Sequence, residues 1–334
     1  MHRHFKLAAA VVLLGYITPV SATAEDKQII IAVRAHSGEQ HAIKKWQPTV
    51  DRLNQSIPGF QFRLQPYTSL KQQRQDGEWK KYHFVLTNPA TYIALEKNAG
   101  AKALLTLIND RTGMAQSRFG SVIFTHVDHS DIVSLKDLSG KNFMGVNPLG
   151  FGGWLVALHE FRKQGIEPRR DFASLQFAGN QPDVVYAVRD KKVHAGVVRT
   201  DMLERLAAKG RIQLTSFRIL NQQENPDFPF FHSTPLYPEW PFAVMPHTAP
   251  ELSAQVKQVL ASIHRADVAA KAGKYMGWEP ALDYQPVKQL MQALGVEPFA
   301  RKTILSHFSG WSGGIIVLII TMAVLLYIFR KKIR

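Results

Sequence analysis

The chain of 334 residues contains no cysteine. Disulfide staples, thiolate metal centres and cysteine nucleophiles are therefore excluded, whatever the compartment. Other patterns are missing too: there is no GxxxxGK[ST] phosphate loop, no HExxH zinc motif, no internal repeat and no low-complexity tract. Acidic residues are few beside basic ones, 26 Asp plus Glu against 41 Lys plus Arg, a formal net charge of +15. Part of that excess (Arg3, Lys6, Arg330, Lys331, Lys332 and Arg334) belongs to terminal apolar segments. The remainder still suits an anionic ligand or an anionic membrane surface. Basic residues form no long block interleaved with aromatics, which argues against nucleic acid.

The long apolar runs sit at the two ends. Residues 1–24 start with Arg3 and Lys6, run apolar from Leu7 to Val20, and close on Ala22-Thr23-Ala24. That is the pattern of a secretory signal peptide cut after Ala24. The alternative is an uncleaved anchor, but Gly15, Thr18 and Pro19 interrupt a run already short for a bilayer. From Trp311 to Phe329 no residue is charged, and a basic cluster follows at 330–334. At about 1.5 Å per residue this stretch covers roughly 28 Å, close to a membrane's hydrocarbon core. A buried core helix is the other reading, though the run is apolar all round. Segment 311–329 is thus expected to be a single transmembrane helix, and 330–334 a cytoplasmic tail, with the bulk of the chain outside. A linker at 300–310 reaches at most about 36–40 Å, so the folded part works beside the membrane.

Between these ends, β-rich runs alternate with helical patterns. "IIIAV", a helix near Gln40–Ser56, "FQFRLQP", "HFVLT" and "PATYIALEKN" are followed by a second series from "SVIFTH" through "KNFMGV", "SLQFA", "PDVVYAVRD", "HAGVV" and "TDMLERLAAKG". Proline-rich loops then lead to "FAVMP" and three helical stretches. Alternation of this kind predicts an α/β class with parallel sheets.

The segments "KKWQPTVDRLNQSIPGFQF", "FVLTNPATY", "SRFGSVIFT", "DLSGKNFMGVNPLGFGGW", "DFASLQFAGNQPDVVYAVRDKKVHAGVVRTDMLERL" and "HSTPLYPEWPFAVMPHT" resemble the phosphate/phosphonate-type periplasmic solute-binding proteins. They are most similar to the periplasmic sensor region of tetrathionate-sensing histidine kinases. The resemblance implies a two-lobed type II periplasmic binding (Venus-flytrap) fold, here with a C-terminal transmembrane helix. Its first lobe would comprise 25–117 and 230–299, and its second 118–229. It also implies a small anionic ligand, a sulfur or phosphorus oxyanion, held between the lobes. The location implied is the bacterial inner membrane with the binding domain in the periplasm. No kinase follows Arg334 in this sequence, so the expected partner is a separate sensor kinase, or else an ABC permease if the protein serves an importer. Catalysis is not indicated, an exported hydrolase being the remaining alternative, and no cofactor is expected.

Candidate ligand residues follow from position. In "NPLGFGGW" a glycine turn opens a helix, and free N–H groups at the positive end of its dipole suit an anion, which nominates Phe151, Gly152 and Gly153. A tight turn or C-cap glycine cluster is the competing reading. Family binders of phosphonates carry Ser and Thr at the matching turn, so the glycines here shift contact to backbone amides. Arg199 and Thr200 stand at the carboxyl end of a strand, where α/β clefts take ligands. Arg199 offers a bidentate oxyanion contact, while Thr200 or Asp201 fits a helix cap. Asn88 and Tyr92 occupy the equivalent edge of the first lobe, Tyr92 fitting the core equally well. Arg118 lies at the crossover, and Asn180 reads as a ligand donor or an N-cap. His126, Asp128 and His129 match no common zinc spacing, so no metal is assigned.

Overall fold

The structure is a computed structural model that describes residues 27–69 and 77–300. The signal peptide, the linker beyond Ala300, the membrane segment and the tail expected from sequence lie outside the described residues. Among those described, no helix is long and apolar enough to cross a membrane.

Fourteen strands are placed. In chain order they are β1 Lys27–Arg34, β2 Phe60–Tyr67, β3 Phe84–Leu86, β4 Lys102–Arg111, β5 Met114–Gln116, β6 Arg118–Phe119, β7 Ser121–His126, β8 Asn142–Gly145, β9 Ser174–Phe177, β10 Ala195–Arg199, β11 Phe217–Leu220, β12 Tyr237–Pro238, β13 Pro241–Val244 and β14 Tyr275–Pro280. One sheet has the order β14-β4-β13-β3-β1-β2, with β5 paired to β4. A second has the order β11-β7-β10-β8-β9. The chain leaves the first sheet through β6 and returns through β12, and these two short strands pair antiparallel, Arg118 opposite Pro238 and Phe119 opposite Tyr237.

The sheets are mixed rather than parallel throughout. β1 pairs parallel with β2 and β3, and β8 with β9 and β10, as helical crossovers require. β13 and β14 re-enter after the excursion and insert antiparallel beside β3 and β4. The alternation pattern does not announce β4, β11, β14 or the short strands β5, β6 and β12. β4 follows the helix Pro89–Ala99 after a single left-handed glycine, Gly100, and β14 lies between two helices.

Local chemistry accounts for the helices that bound the space between the sheets. In Glu39–Ser56 the buried residues Ala42, Trp46, Thr49, Val50 and Leu53 recur at helical spacing and cover the first sheet. Pro89–Ala99 begins on Asn88, whose Oδ1 accepts from the Thr91 amide, has Pro89 in its first turn, and stops at Gly100 with φ 72°. The final helix, Gln285–Leu294, contacts both Pro89–Ala99 and Val156–Lys163. One apolar cluster therefore runs across both parts of the molecule, from Tyr92 and Ile93 to Phe143, Trp154 and Phe161.

Candidate functional site

Charged side chains converge where β10, β4 and the return crossover meet. Arg199, the last residue of β10, sets its guanidinium 4.3 Å over the Phe119 ring and donates to Glu239 Oε1 at 2.6 Å. Its Nε lies 3.2 Å from Asp201. Arg111, at the end of β4, reaches the same two acids at 3.5 Å each, and Arg205 contacts Asp201 at 2.7 Å across one helical turn. Glu239 is fully buried and its amide donates to Ser117 O, so the acid is fixed by the crossover itself. Asp201 is also buried and holds φ 72°, a left-handed conformation that costs a non-glycine residue energy and is kept only under tertiary constraint.

Lys45, on the helix Glu39–Ser56, adds a further cation, its ammonium lying 4.7 Å from the Trp46 ring. Among the described residues it has no carboxylate partner. Three guanidiniums thus share two carboxylates, with the Glu204 carboxyl in the field of Asp201 and Arg205. Burial, then repulsion from Arg199, draws Arg111 below its ordinary pKa. For Arg199 burial opposes the charge, yet Glu239 and then Asp201 hold its pKa above the ordinary value. The Nε atoms of Arg111, Arg199 and Arg205 and both Asp201 oxygens make ion contacts without hydrogen-bond geometry, so the cluster has donor capacity beyond its internal pairs.

The glycine turn abuts this cluster. Phe151–Leu155 forms a π turn leading into Val156–Lys163, so the helical backbone begins within the glycine stretch. Its first backbone bond is Leu155 N to Gly150 O, at 3.0 Å. The amides of Phe151, Gly152 and Gly153 precede it and have no acceptor within the helix. The glycines here serve close packing: a Cβ on Gly152 would stand 2.6 Å from the Phe119 ring and 3.1 Å from Arg199 Cβ, and one on Gly153 would stand 2.8 Å from Val146. Phe151 is buried edge-on against Phe119 and Tyr237.

The other nominated residues are dispersed. Thr200 is buried, and its backbone and hydroxyl are both engaged with Gly120. Asn88 and Asn180 cap helices, each accepting from an amide three residues on. Arg118 is exposed, and strand alternation turns it to the face opposite Phe119. Tyr92 lies elsewhere, in an open groove of about 280 Å³ with Glu96, Lys102, Asp283 and Tyr284. Its hydroxyl donates to Glu96 at 2.9 Å, and burial, then that bond, raises its pKa. His126, Asp128 and His129 are occupied differently from metal ligands: Asp128 pairs with Lys191 at 2.6 Å, and His129 tilts against the His194 ring.

Sequence reasoning missed Lys45, Arg111, Arg205 and Glu239. Only the i, i+4 spacing of Asp201 and Arg205 carried a local signal. Tyr284 was missed as well. Its hydroxyl donates to Glu239 O at 2.7 Å from the N-cap of the final helix, tying that helix to the charged cluster.

Residues 31–285 match the family described as "ABC transporter, phosphonate, periplasmic substrate-binding protein". The tetrathionate sensor histidine kinase TtrS of Salmonella typhimurium is 33% identical over 274 residues. That match takes in 81% of this chain and 44% of the kinase, so the chain spans less than half of its relative's length. Among solved structures, PhnD1 of Prochlorococcus marinus in complex with methylphosphonate aligns with a TM-score of 0.61 at 12% identity, covering 81% of this chain and 99% of that one. A binding protein component of the ABC phosphonate transporter from Pseudomonas aeruginosa aligns at 0.59 and 15% identity, covering 90% and 99%. The two sheets joined by paired crossing strands are thus the α/β two-lobed fold of periplasmic binding proteins, and the chain belongs to the phosphonate-type family of periplasmic substrate-binding proteins.

Proposed function

We propose that the protein captures a small oxyanion between its lobes and passes its occupancy to a separate membrane partner, a sensor histidine kinase. The lobes are taken as 25–117 with 230–299, and 118–229. The observation that carries this reading is the excess of cations in the cluster: Arg111, Arg199, Arg205 and Lys45 stand against Asp201, Glu239 and Glu204, and burial pushes the Glu204 carboxyl toward its neutral form. An anion entering there meets preoriented guanidiniums in a partly desolvated site, where charge-assisted hydrogen bonds are strong. Arg199 is the proposed bidentate contact, with the amides of Phe151, Gly152 and Gly153 beside it. Thr200 ties the end of β10 to Gly120, while Asn88 and Asn180 act as helix caps. Arg118 and Tyr92 stand apart from the cluster.

Closure on ligand would bias a two-state hinge, and the bond from Tyr284 to Glu239 gives the final helix a direct connection to that hinge. The similarity to a sensor kinase's sensing region supports signalling. The importer reading is favoured by the family's usual setting, and the exported hydrolase has no observation behind it. Membrane anchoring through 311–329 completes the proposal and is tested by carbonate washing, which leaves a spanning protein in the membrane fraction. The ligand is tested by a thermal-shift screen with tetrathionate, thiosulfate, sulfate and methylphosphonate. At 100 times its dissociation constant a bound anion stabilises by about 2.7 kcal/mol. Signalling is tested by deletion: loss of an anion-dependent transcriptional response supports the sensor, whereas loss of anion uptake with that response intact supports the importer.

A further inference from the structure

We propose that the ring of guanidiniums around the Asp201 carboxylate is the oxyanion subsite itself, and that Asp201 is an internal stand-in which an entering dianion displaces. This rests on the anion-binding reading above and names the place and the charge of the ligand. Three elements bring guanidiniums to that one carboxylate: Arg111 from β4 at 3.5 Å, Arg199 from β10 at 3.2 Å and Arg205 from the helix Met202–Ala208 at 2.7 Å. Arg111 stands on the first sheet and Arg199 on the second, so the carboxylate bridges the two.

The two acids that pair with these arginines are seated differently. Glu239 accepts hydrogen bonds from Arg199 and Arg111 on Oε1, and from the Trp240 amide at 3.3 Å on Oε2. Among the described residues neither Asp201 oxygen accepts one, although the side chain is only 2% exposed. Asp201 also gives up the role its position offers. It stands at the N-cap of Met202–Ala208, where an aspartate normally accepts from an amide of the first turn, yet it makes no such bond and holds φ 72° in place of extended backbone. The chain thus carries backbone strain and leaves a cap unmade while the carboxylate sits where the arginines converge. Glu239 is a seated counter-ion, whereas Asp201 is held by ion contacts alone.

The charge balance says what can displace it. A monoanion would exchange one carboxylate for another, and Asp201 has the advantage of being tethered, with no translational freedom to lose. A dianion brings a second negative charge to three guanidiniums, each able to give paired, charge-assisted hydrogen bonds to its oxygens. Once released, Asp201 can relax to the extended backbone of an N-cap and accept from the Leu203 or Glu204 amide, which restores the cap and removes the strain. The subsite therefore selects doubly charged oxyanions, and its occupancy is coupled to the backbone conformation of Asp201.

Calorimetry at pH 7 on the full-length protein, with sulfate and tetrathionate as dianions and formate as the monoanion, tests this against Asp201→Gly, which takes φ 72° without strain. The wild type should bind at least one dianion at concentrations where formate does not register. Asp201→Gly should bind that dianion at least about fivefold tighter, the low end of coupling between ligands that compete. It should also bind formate, the free monoanion filling the place of the missing carboxylate. Thermal unfolding gives the matching sign: in anion-free buffer the variant should unfold earlier than the wild type, and formate should raise its midpoint and not that of the wild type. Should Asp201→Gly not fold, Asp201→Asn, which tolerates the left-handed conformation, carries the dianion comparison. A dianion that binds the wild type and binds the variants no tighter, or formate that binds the wild type and Asp201→Gly alike, would overturn this inference and leave the anion site standing. Failure of both dianions to bind the wild type or either variant would bring down the anion-site reading and this inference with it.

Discussion

Where the crossing strands meet, Arg111, Arg199 and Arg205 share Asp201 and Glu239 in a site from which solvent is largely excluded. On the flank of the first lobe, Tyr92, Glu96, Lys102 and Asp283 line an open groove of about 280 Å³. The groove has the volume and the cluster has the chemistry. In the groove Tyr92 is satisfied by Glu96 and by the Ala103 amide, and Glu96 by Lys288 at 3.7 Å. In the cluster cations outnumber acids, and guanidinium Nε atoms lack hydrogen-bond acceptors. An unbalanced desolvated charge is far costlier than charges on an open, solvated surface, so imbalance points to a ligand more strongly than size does.

The largest effect that would break this contrast is expected at Glu239. Glu239→Gln leaves Arg199 and Arg111 facing Asp201 alone, and removing one partner of a buried ion pair costs about 3–5 kcal/mol. Urea denaturation should register that loss; an unchanged midpoint would mean that Glu239 is no counter-ion. A smaller loss is expected at Gly152. Gly152→Ala drives a methyl into Phe119 and Arg199, an overpacking worth about 1–3 kcal/mol, and should weaken anion binding through the displaced guanidinium. The same denaturation series and a binding titration check both.

Stability against pH separates the two regions further. Lys45 has an ordinary pKa of 10.5 and a folded value of about 7. Between these values the unfolded chain holds a proton that the folded chain has released, so this group makes stability rise with pH across that window. Its penalty is absent above 10.5 and complete below 7. Lys45→Met should flatten that part of the ligand-free stability profile, measured by thermal unfolding at successive pH values. The smallest effect belongs to the groove. Tyr92→Phe removes the hydroxyl's bond to Glu96 and the bond it accepts from the Ala103 amide, at about 0.5–1.5 kcal/mol each, and leaves anion affinity unchanged.

The sequence made the lobes legible because their parallel strands are short apolar runs punctuated by caps and glycines, as at Asn88, Gly100 and Asn180. β14 was hidden because "YMGWEP" carries a glycine and a proline and sits between helical patterns, and its neighbours in the sheet supply the register. β4 alternates poorly because most of it is buried or half-buried. Arg199 could be placed from the strand end that carries it. Lys45, Arg111 and Glu239 could not, since each reads locally as a solvated charge and they gain meaning only when residues far apart in the chain meet. The anion-turn reading of Gly152 and Gly153 follows from their place before a helix, while their close packing against Phe119 and Val146 is visible only in the fold.

The central claim is that the charged cluster, and not the groove, holds the anion. Isothermal calorimetry of the wild type, Arg199→Ala and Tyr92→Phe with tetrathionate, sulfate and methylphosphonate at pH 7 tests it most directly. At least one probe should bind the wild type and Tyr92→Phe alike, and Arg199→Ala should lose about 2–5 kcal/mol of that binding. Equal affinity in the wild type and Arg199→Ala, with loss confined to Tyr92→Phe, would contradict it.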